Sequence, residues 1–341
     1  MPRCGNVILP MQLQNIPLGE STGVVLDVKE INIRNVVAPY NGSILAKEDG
    51  NYLLFFRYDV IDHNCPRDFY TNIGVVELDH NFNQTEKEFK RIKVGSDYAE
   101  DPRATWVGDQ LFLTYNSLVS LASDRRIMHA AEIDSKTMEL ISDTKMDLQI
   151  QPIEKNWVPF AYNDQDKGHQ LFYEYHIYPH SLLKLTDPKV GVLEHALFPE
   201  VAAFPKPSWP KMWGEPRGGS PAISIDDRYL GLFHSFFKDQ DGYAWYLMGA
   251  YTFQNKPPFR ITGISNYPIF YKGIFNTPAQ NTAPPTVRAS YPAGLISEKR
   301  DGRDVLIVSC GENDCAVKVL ILDQQALLKS LKPIKCKKEK S

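Results

Sequence analysis

A unit of roughly sixty residues recurs five times along this chain, and that repetition constrains the fold more than any single motif. Each copy opens with a short polar motif containing Pro, Gly or an Asn/Asp side chain. It runs into a strand, turns on Asp, Gly or Asn, and returns as an aromatic-rich or aliphatic strand. The first copy reads Ala38-Pro39-Tyr40-Asn41-Gly42-Ser43, turns at 48–51 and returns over 52–57. The second reads Glu100-Asp101-Pro102-Arg103, turns at Gly108-Asp109 and returns over 110–116. The third reads Lys155-Asn156-Trp157-Val158-Pro159, turns at 164–168 and returns over 170–175. The fourth reads Arg217-Gly218-Gly219-Ser220-Pro221, turns at Asp226-Asp227 and returns over 229–234. The fifth reads Ser290-Tyr291-Pro292-Ala293-Gly294, turns at Asp301-Gly302 and returns over 304–310. A third strand follows in each, over 73–78, 128–133, 181–185, 246–253 and 317–322. The turn residues are those that hairpins require.

Three or four strands per unit, repeated five times, predict an all-β chain folded as a five-bladed β-propeller. The alternative is a β-sandwich; recurrence of the polar motif at one phase favours the propeller. Residues 35–330 are expected to form this single catalytic domain. Residues 1–34 form an N-terminal segment that closes or packs on it, and the Lys-rich stretch 331–341 is a solvated tail. Helical periodicity is nearly absent, with one helix expected over Gln324–Ser330.

In a propeller the innermost strand of each blade runs along the central axis, so residues at one phase converge at one end of the channel. The five motifs hold that phase. They bring Asn41, Asp101, Arg103, Trp157, Arg217 and the Tyr291-Pro292 segment into one pocket, with Arg57, Asn116, Tyr175 and His234 behind them. Carboxylate, amide and aromatic groups suit a sugar, whose hydroxyls seek planar polar partners and whose C–H faces pack on rings. Arginine with histidine suits a phosphate.

Charge excludes one class. The 341 residues carry 38 Lys and Arg against 41 Asp and Glu, a net charge of −3, unlike the basic excess of general nucleic-acid binders. The N-terminus lacks an apolar signal core and no apolar run approaches a membrane span, so a cytoplasmic location is expected. Five scattered Cys are expected to be reduced thiols. Cys310 and Cys315 have the wrong spacing for a zinc knuckle, Asp239-Gln240-Asp241-Gly242 is too short for a calcium loop, and Pro179 spoils the spacing of His176 and His180. No metal and no cofactor is expected. There is no Walker loop, dinucleotide fingerprint or nucleophile elbow.

Asn41-Gly42-Ser43 followed by Arg57, then Glu100-Asp101-Pro102-Arg103, then Gly218-Gly219-Ser220-Pro221 followed by His234, resemble glycoside hydrolase family 130. The related glycosyltransferase family 108 shares the pattern. The resemblance covers roughly residues 35–322. It implies a five-bladed propeller that moves β-linked mannosyl units, as an inverting phosphorylase or as a β-1,2-mannosyltransferase. It makes Asp101 the catalytic acid, which protonates the leaving oxygen through a hydroxyl of the bound mannosyl unit. It makes Asn41 and Arg57 holders of that unit, and it places Asn116, Arg217 and His234 among the phosphate ligands. Arg217 stands where many members have lysine. An arginine expected near 175–180 is missing, with His176 and His180 in its place, which shifts the expectation toward the transferases.

Inverting displacement needs an acid on the leaving oxygen and a nucleophile on the opposite face. A hydrolase needs a second carboxylate to activate water, whereas phosphate is already an anion. Glu100 is expected to point away from Asp101 by strand alternation, and Glu174, Glu312 and Asp314 are weaker base candidates. The sequence thus points to a β-mannoside phosphorylase or β-mannosyltransferase. Its partners are an oligosaccharide or mannoside with phosphate or a nucleotide-sugar as co-substrate, and a homo-oligomer is open. An inverting β-mannosidase and a non-catalytic glycan-binding propeller are the other readings.

Overall fold

Left-handed turn residues cut the chain into hairpins at the expected places. Asp226 and Asp301 take φ of 51° and 48°, and glycines hold the corresponding turns of the other units. The structure, a computed structural model, describes residues 7–146, 148, 151–187, 192–195, 206–278 and 286–334. It is nearly all β, with two short α-helices among the described residues.

Five antiparallel meanders follow one another. The first runs β2 (Tyr40–Ala46), β3 (Tyr52–Ile61), β4 (Phe69–Leu78) and β5 (Lys90–Ile92), after β1 (Val25–Ile31). The second runs β6 (Ala99–Val107), β7 (Gln110–Ser120), β8 (Arg125–Ile133) and β9 (Leu140–Met146). The third runs β10 (Val158–Asp164), β11 (Gly168–His176), β12 (Ser181–Asp187) and β13 (Val192–His195). The fourth has a first strand in two pieces, β14 (Arg217–Gly218) and β15 (Ile223–Ile225), then β16 (Arg228–Lys238), β17 (Ala244–Gln254) and β18 (Ile261–Ser265). The fifth runs β19 (Val287–Arg300), β20 (Arg303–Glu312) and β21 (Ala316–Asp323), and β1 pairs with β21 as its fourth strand. The fourth and fifth join where Ala244 to Tyr246 run parallel to Val287 to Ala289.

Second strands such as β7 and β20 are buried on both faces, because each sheet is covered on both sides. One apolar cluster lies between each pair of successive sheets. Phe55 and Val75 meet Leu113 and Tyr115, and Phe112 and Met128 meet Tyr173 and Leu183. Phe160 and Phe172 meet Tyr229 and Phe253, and Leu232 and Met248 meet Leu306 and Leu320. A fifth cluster packs Ile307 and Val319 of the last sheet on Leu54 and Phe56 of the first.

Helix Gln324–Ser330 forms where periodicity placed it, capped by the Asp323 carboxylate accepting from the Ala326 amide at 2.8 Å. The first residues of the expected tail are ordered in a strand. Leu331–Pro333 forms β22, paired with β18, and residues 335–341 lie outside the described residues. No helix among the described residues is long and apolar enough to cross a membrane.

Candidate functional site

Two bulges and three left-handed residues build the site. Pairing of β2 with β3 skips from Tyr40↔Arg57 to Ser43↔Phe55, and pairing of β6 with β7 skips from Glu100↔Asn116 to Arg103↔Thr114. The skipped residues leave the ladder, and a bulge re-aims their side chains. Asn41 and Asp101 there have φ of 47° and 55°, and Asn156, just before β10, has 65°. Asn and Asp are the non-glycine residues that tolerate this region best. Glycines let the neighbouring units close in. A Cβ on Gly311 would lie 1.9 Å from Asn41 Oδ1, and one on Gly218 would lie 2.0 Å from the Asn156 carbonyl oxygen.

The cavity so formed is about 200 Å3, lined by Asn41, Arg57, Glu100, Asp101, Lys155, Asn156, Arg217, His234, Tyr246, Ala289, Tyr291 and Asp314. Around Asp101 the neighbouring polar groups hold one another. Asn41 Nδ2 donates to Asp101 Oδ1 at 2.8 Å, and Arg57 Nη1 donates to the same oxygen at 3.4 Å. The Arg57 guanidinium also stacks 4.7 Å over the Tyr40 ring and reaches Glu100 at 3.4 Å. Burial opposes the charge on Asp101, but Arg57, Arg103, the Asn41 hydrogen bond and Lys155 outweigh it, and the carboxyl is held below its ordinary value. Loss of solvent raises the half-buried Asp314 to about 6; Arg57 pulls the other way, while Asp101, Asp59 and Glu100 add to the rise. Of these two carboxyls of the cavity, Asp101 stays ionised and Asp314 titrates near neutrality.

The other side is cationic and open. Lys155 and Arg217 are exposed at its edge, and neither has a hydrogen-bond or ion-pair partner among the described residues. Glu215, two residues before Arg217, pairs with Lys206 at 3.8 Å. Arg217 faces His234 across the β14–β16 ladder. His234 is buried and neutral: burial pushes its imidazole down to about 3, and Arg103, Arg217 and Lys155 reinforce this. The expected anion site of Arg217 with His234 thus gains a second cation, Lys155, beside a neutral ring. Two buried atoms of the wall, Asn41 Oδ1 and His234 Nδ1, have no hydrogen-bond partner. A sugar hydroxyl could donate to the Asn41 amide oxygen, while the neutral imidazole nitrogen can donate to or accept from a ligand according to its tautomer.

Three expected ligands stand behind the wall rather than in it. Arg103 is fully buried; it donates to the Gly219 carbonyl at 2.5 Å, to the Asp101 carbonyl at 3.1 Å and to the Tyr291 hydroxyl. Tyr291, which does line the cavity, passes that bond on to Asn156 Oδ1 at 2.9 Å. Asn116 is fully buried, donating to the Glu100 carbonyl at 3.2 Å and accepting from Arg126 at 3.2 Å. Trp157 is packed edge-on against Tyr173 and Tyr175, with its indole N–H on Glu154 at 3.3 Å. It borders a neighbouring cavity, not the one at Asp101.

Alternation also misplaced Glu100. The bulge after it breaks the parity, and Glu100 lines the cavity, bonded to Arg126 and within 3.7 Å of Arg67. Of the other carboxylates considered, Glu174 accepts from the Tyr251 hydroxyl in the interior and Glu312 pairs with Lys318 at 2.6 Å. Asp314 alone of those three reaches the cavity. Lys155, Asn156 and Tyr246 were not singled out as ligands. Lys155 and Asn156 precede the third strand at the very phase used, but the neighbouring Trp157 drew the reading.

Ser117, His129 and Asp143 form a Ser–His–Asp chain of 2.8 and 3.0 Å. Ser117 and His129 are each 1% exposed, so a substrate cannot reach that hydroxyl. The chain is an interior strut.

No protein-family model matches the chain, and no curated protein matches it in sequence. Solved structures do share its fold. A mannose phosphorylase from Leishmania mexicana, MPT-4, in complex with a phosphate ion, superposes with a TM-score of 0.57 at 14% identity, over 93% of this chain and 94% of that one. β-1,2-Mannobiose phosphorylase from Listeria innocua, in complex with β-1,2-mannobiose, gives 0.57 at 14% identity, over 92% and 98%. MPT-1, a GDP-Man-dependent mannosyltransferase from Leishmania mexicana, gives 0.52 at 12% identity, over 89% and 92%. These are the mannoside phosphorylase and mannosyltransferase folds that the repeat motifs resemble.

Proposed function

We propose that this chain transfers a β-linked mannosyl unit, with inversion, between a mannoside and phosphate or a phosphorylated mannosyl donor. The observation that carries the reading is the divided cavity. An ionised carboxylate, fixed by an amide and a guanidinium, shares a cavity of about 200 Å3 with two exposed cations that lack partners among the described residues. Sugar and anion would meet there. The five meanders are read as five propeller blades, supported by their cyclic packing and by the neighbours' shared fold.

In the transfer direction the bond between the anomeric carbon and the phosphate oxygen breaks. Its electron pair leaves on the phosphate, held by Lys155, Arg217 and the neutral His234. The acceptor hydroxyl attacks the opposite face and forms the new glycosidic bond, and its proton passes to Asp101, directly or through a mannosyl hydroxyl. The lowered Asp101 is already in the base form for this direction. Phosphorolysis is the reverse, with Asp101 returning the proton to the leaving oxygen. Asn41 and Arg57 hold the carboxylate in place, and Arg103 fixes the backbone beneath it.

The test is incubation with β-1,2-mannobiose, with and without phosphate. Mannose 1-phosphate is expected only with phosphate, and mannose 1-phosphate plus mannose should return mannobiose. Free mannose without phosphate would make the chain a hydrolase, and binding without any turnover would make it a lectin-like protein.

A further inference from the structure

Donors and acceptors allow the bonds through Arg103, Tyr291 and Asn156 to run in one direction only. A guanidinium donates and never accepts. The Tyr291 hydroxyl therefore accepts from Arg103, and its single proton goes to Asn156 Oδ1, 2.9 Å away. Burial raises the Tyr291 phenol above its ordinary value, against the pull of Arg103, so that proton is in place at neutral pH. An amide whose oxygen is fixed in this way turns its NH2 elsewhere. Asn156 Nδ2 has no hydrogen-bond partner among the described residues, and Asn156 lines the Asp101 cavity together with Lys155 and Arg217. Asn41, the other left-handed asparagine of that cavity, is committed the opposite way: it gives its Nδ2 to Asp101 and leaves its oxygen without a partner.

We propose that Tyr291 is a positioning residue acting through Asn156: its hydroxyl locks the amide with the NH2 toward the anion that Lys155 and Arg217 hold. The inference rests on the mannosyl-transfer reading above and adds one neutral donor to its anion site. Left to itself, an amide beside two unpartnered cations would turn its oxygen to them, because a carbonyl dipole and a cation attract. That orientation would set an acceptor against an incoming phosphate oxygen, itself an acceptor. The bond from Tyr291 holds the amide against this pull. Its origin is rigid, since Arg103 is fully buried and also donates to the Gly219 carbonyl at 2.5 Å and to the Asp101 carbonyl at 3.1 Å. One guanidinium thereby sets both the backbone under the acid and the donor facing the anion.

Calorimetric titration of the full chain with inorganic phosphate, alongside the KM values for phosphate and β-1,2-mannobiose, tests this. Tyr291→Phe keeps the ring and its packing 4.8 Å from His234 and removes only the hydroxyl. Phosphate affinity should fall ~10-fold, the worth of one hydrogen bond to a charged group, while the KM for mannobiose holds. Asn156→Gly, which suits the left-handed φ of 65°, should cost a similar factor. Asn156→Asp suits that φ too and still accepts from Tyr291, but it sets a charged oxygen where the NH2 was and should cost ~100-fold. In the Asn156→Gly background Tyr291→Phe should cost no further phosphate affinity, because its effect passes through the amide. Equal losses from Tyr291→Phe in both backgrounds would overturn the inference, making the hydroxyl a direct ligand or a strut. So would an Asn156→Asp protein that binds phosphate as well as Asn156→Gly, a comparison that stands even if Tyr291→Phe does not fold. Either result, alongside intact Asp101-dependent phosphorolysis, would leave the mannosyl-transfer reading standing. A parent chain that neither binds phosphate nor turns over mannobiose would remove that reading and this inference with it.

Discussion

The two sides of the Asp101 cavity are built on opposite principles. Around Asp101 most charges are tied: Glu100 to Arg57, Arg67 and Arg126, Asp101 to Asn41 and Arg57, and Arg103 to two backbone carbonyls and a tyrosine. Across from it, Lys155 and Arg217 stand exposed and unpaired among the described residues. Fixed dipoles and charges cost no reorganisation when a reaction develops charge beside them. A free cation costs little in water and gains its partner only when an anion arrives. The first side is therefore preorganised for a neutral sugar and a proton, and the second is completed by its ligand. Substitutions on the two sides should fail differently.

The largest effect is expected on the tied side. Asp101→Asn keeps the shape and suits the left-handed φ of 55°, since Asn tolerates that region as Asp does. The Asn41 and Arg57 bonds can persist to its amide oxygen, but the proton has nowhere to go. Turnover should drop by roughly 10²–10⁴ with an unchanged melting temperature and little change in mannobiose affinity. Activity close to wild type would remove Asp101 from the chemistry.

The open side should give the converse. Arg217→Gln removes one charged hydrogen bond, worth about 1.5–3 kcal/mol, so the KM for phosphate should rise at least ~10-fold. The melting temperature should hold, because Arg217 is exposed and supports nothing described. A destabilised protein with unchanged phosphate KM would make Arg217 a strut and break the contrast between the two sides.

What was legible in the sequence follows the same division. Repetition at one phase found Asn41, Arg57, Asp101, Arg217, His234 and Tyr291, all of which line the cavity. Phase marks where a residue sits along a strand, and the converging strands supply the rest. Facing was harder to read. Strict alternation assumes a regular ladder, and bulges at Asn41-Gly42 and Asp101-Pro102 break it where the site is built. Glu100 was therefore turned away on paper while it lines the cavity, and Arg103 was turned inward while it braces the backbone. Trp157 lost its place to Asn156, whose left-handed φ of 65° redirects the chain into β10. Tyr246 lies on a third strand, beyond the first two that the phase argument followed. Hydrogen bonding between distant units, such as Arg103 with Gly219 and Tyr291, leaves no local signal at all.

The smallest effect tests whether the two sides sense each other. Asp314, on the cavity wall, is pushed up to about 6. As pH falls through that value it takes a proton, the cavity loses a negative charge, and an anion held by Lys155 and Arg217 is repelled less. Sulfate, whose charge does not change over this range, is the suitable probe. Its inhibition of phosphorolysis should tighten severalfold between pH 7 and pH 5, less than the ~10-fold expected for Arg217→Gln, because solvent near the cavity mouth screens the interaction. Neither His234, held down to about 3, nor Asp101, held low by its cations, titrates in this window. Asp314→Asn should abolish the dependence. Stability gives a second readout of the same proton. A carboxyl raised in the folded state binds a proton there between its unfolded value of 3.8 and about 6, so it favours the folded state below that window and its contribution is lost as pH rises through 6. Asp314→Asn should therefore gain melting temperature over the parent chain mainly above pH 6. A sulfate profile that stays pH-dependent in the variant would mean that the titrating group lies elsewhere and that the tied side does not act on the open one.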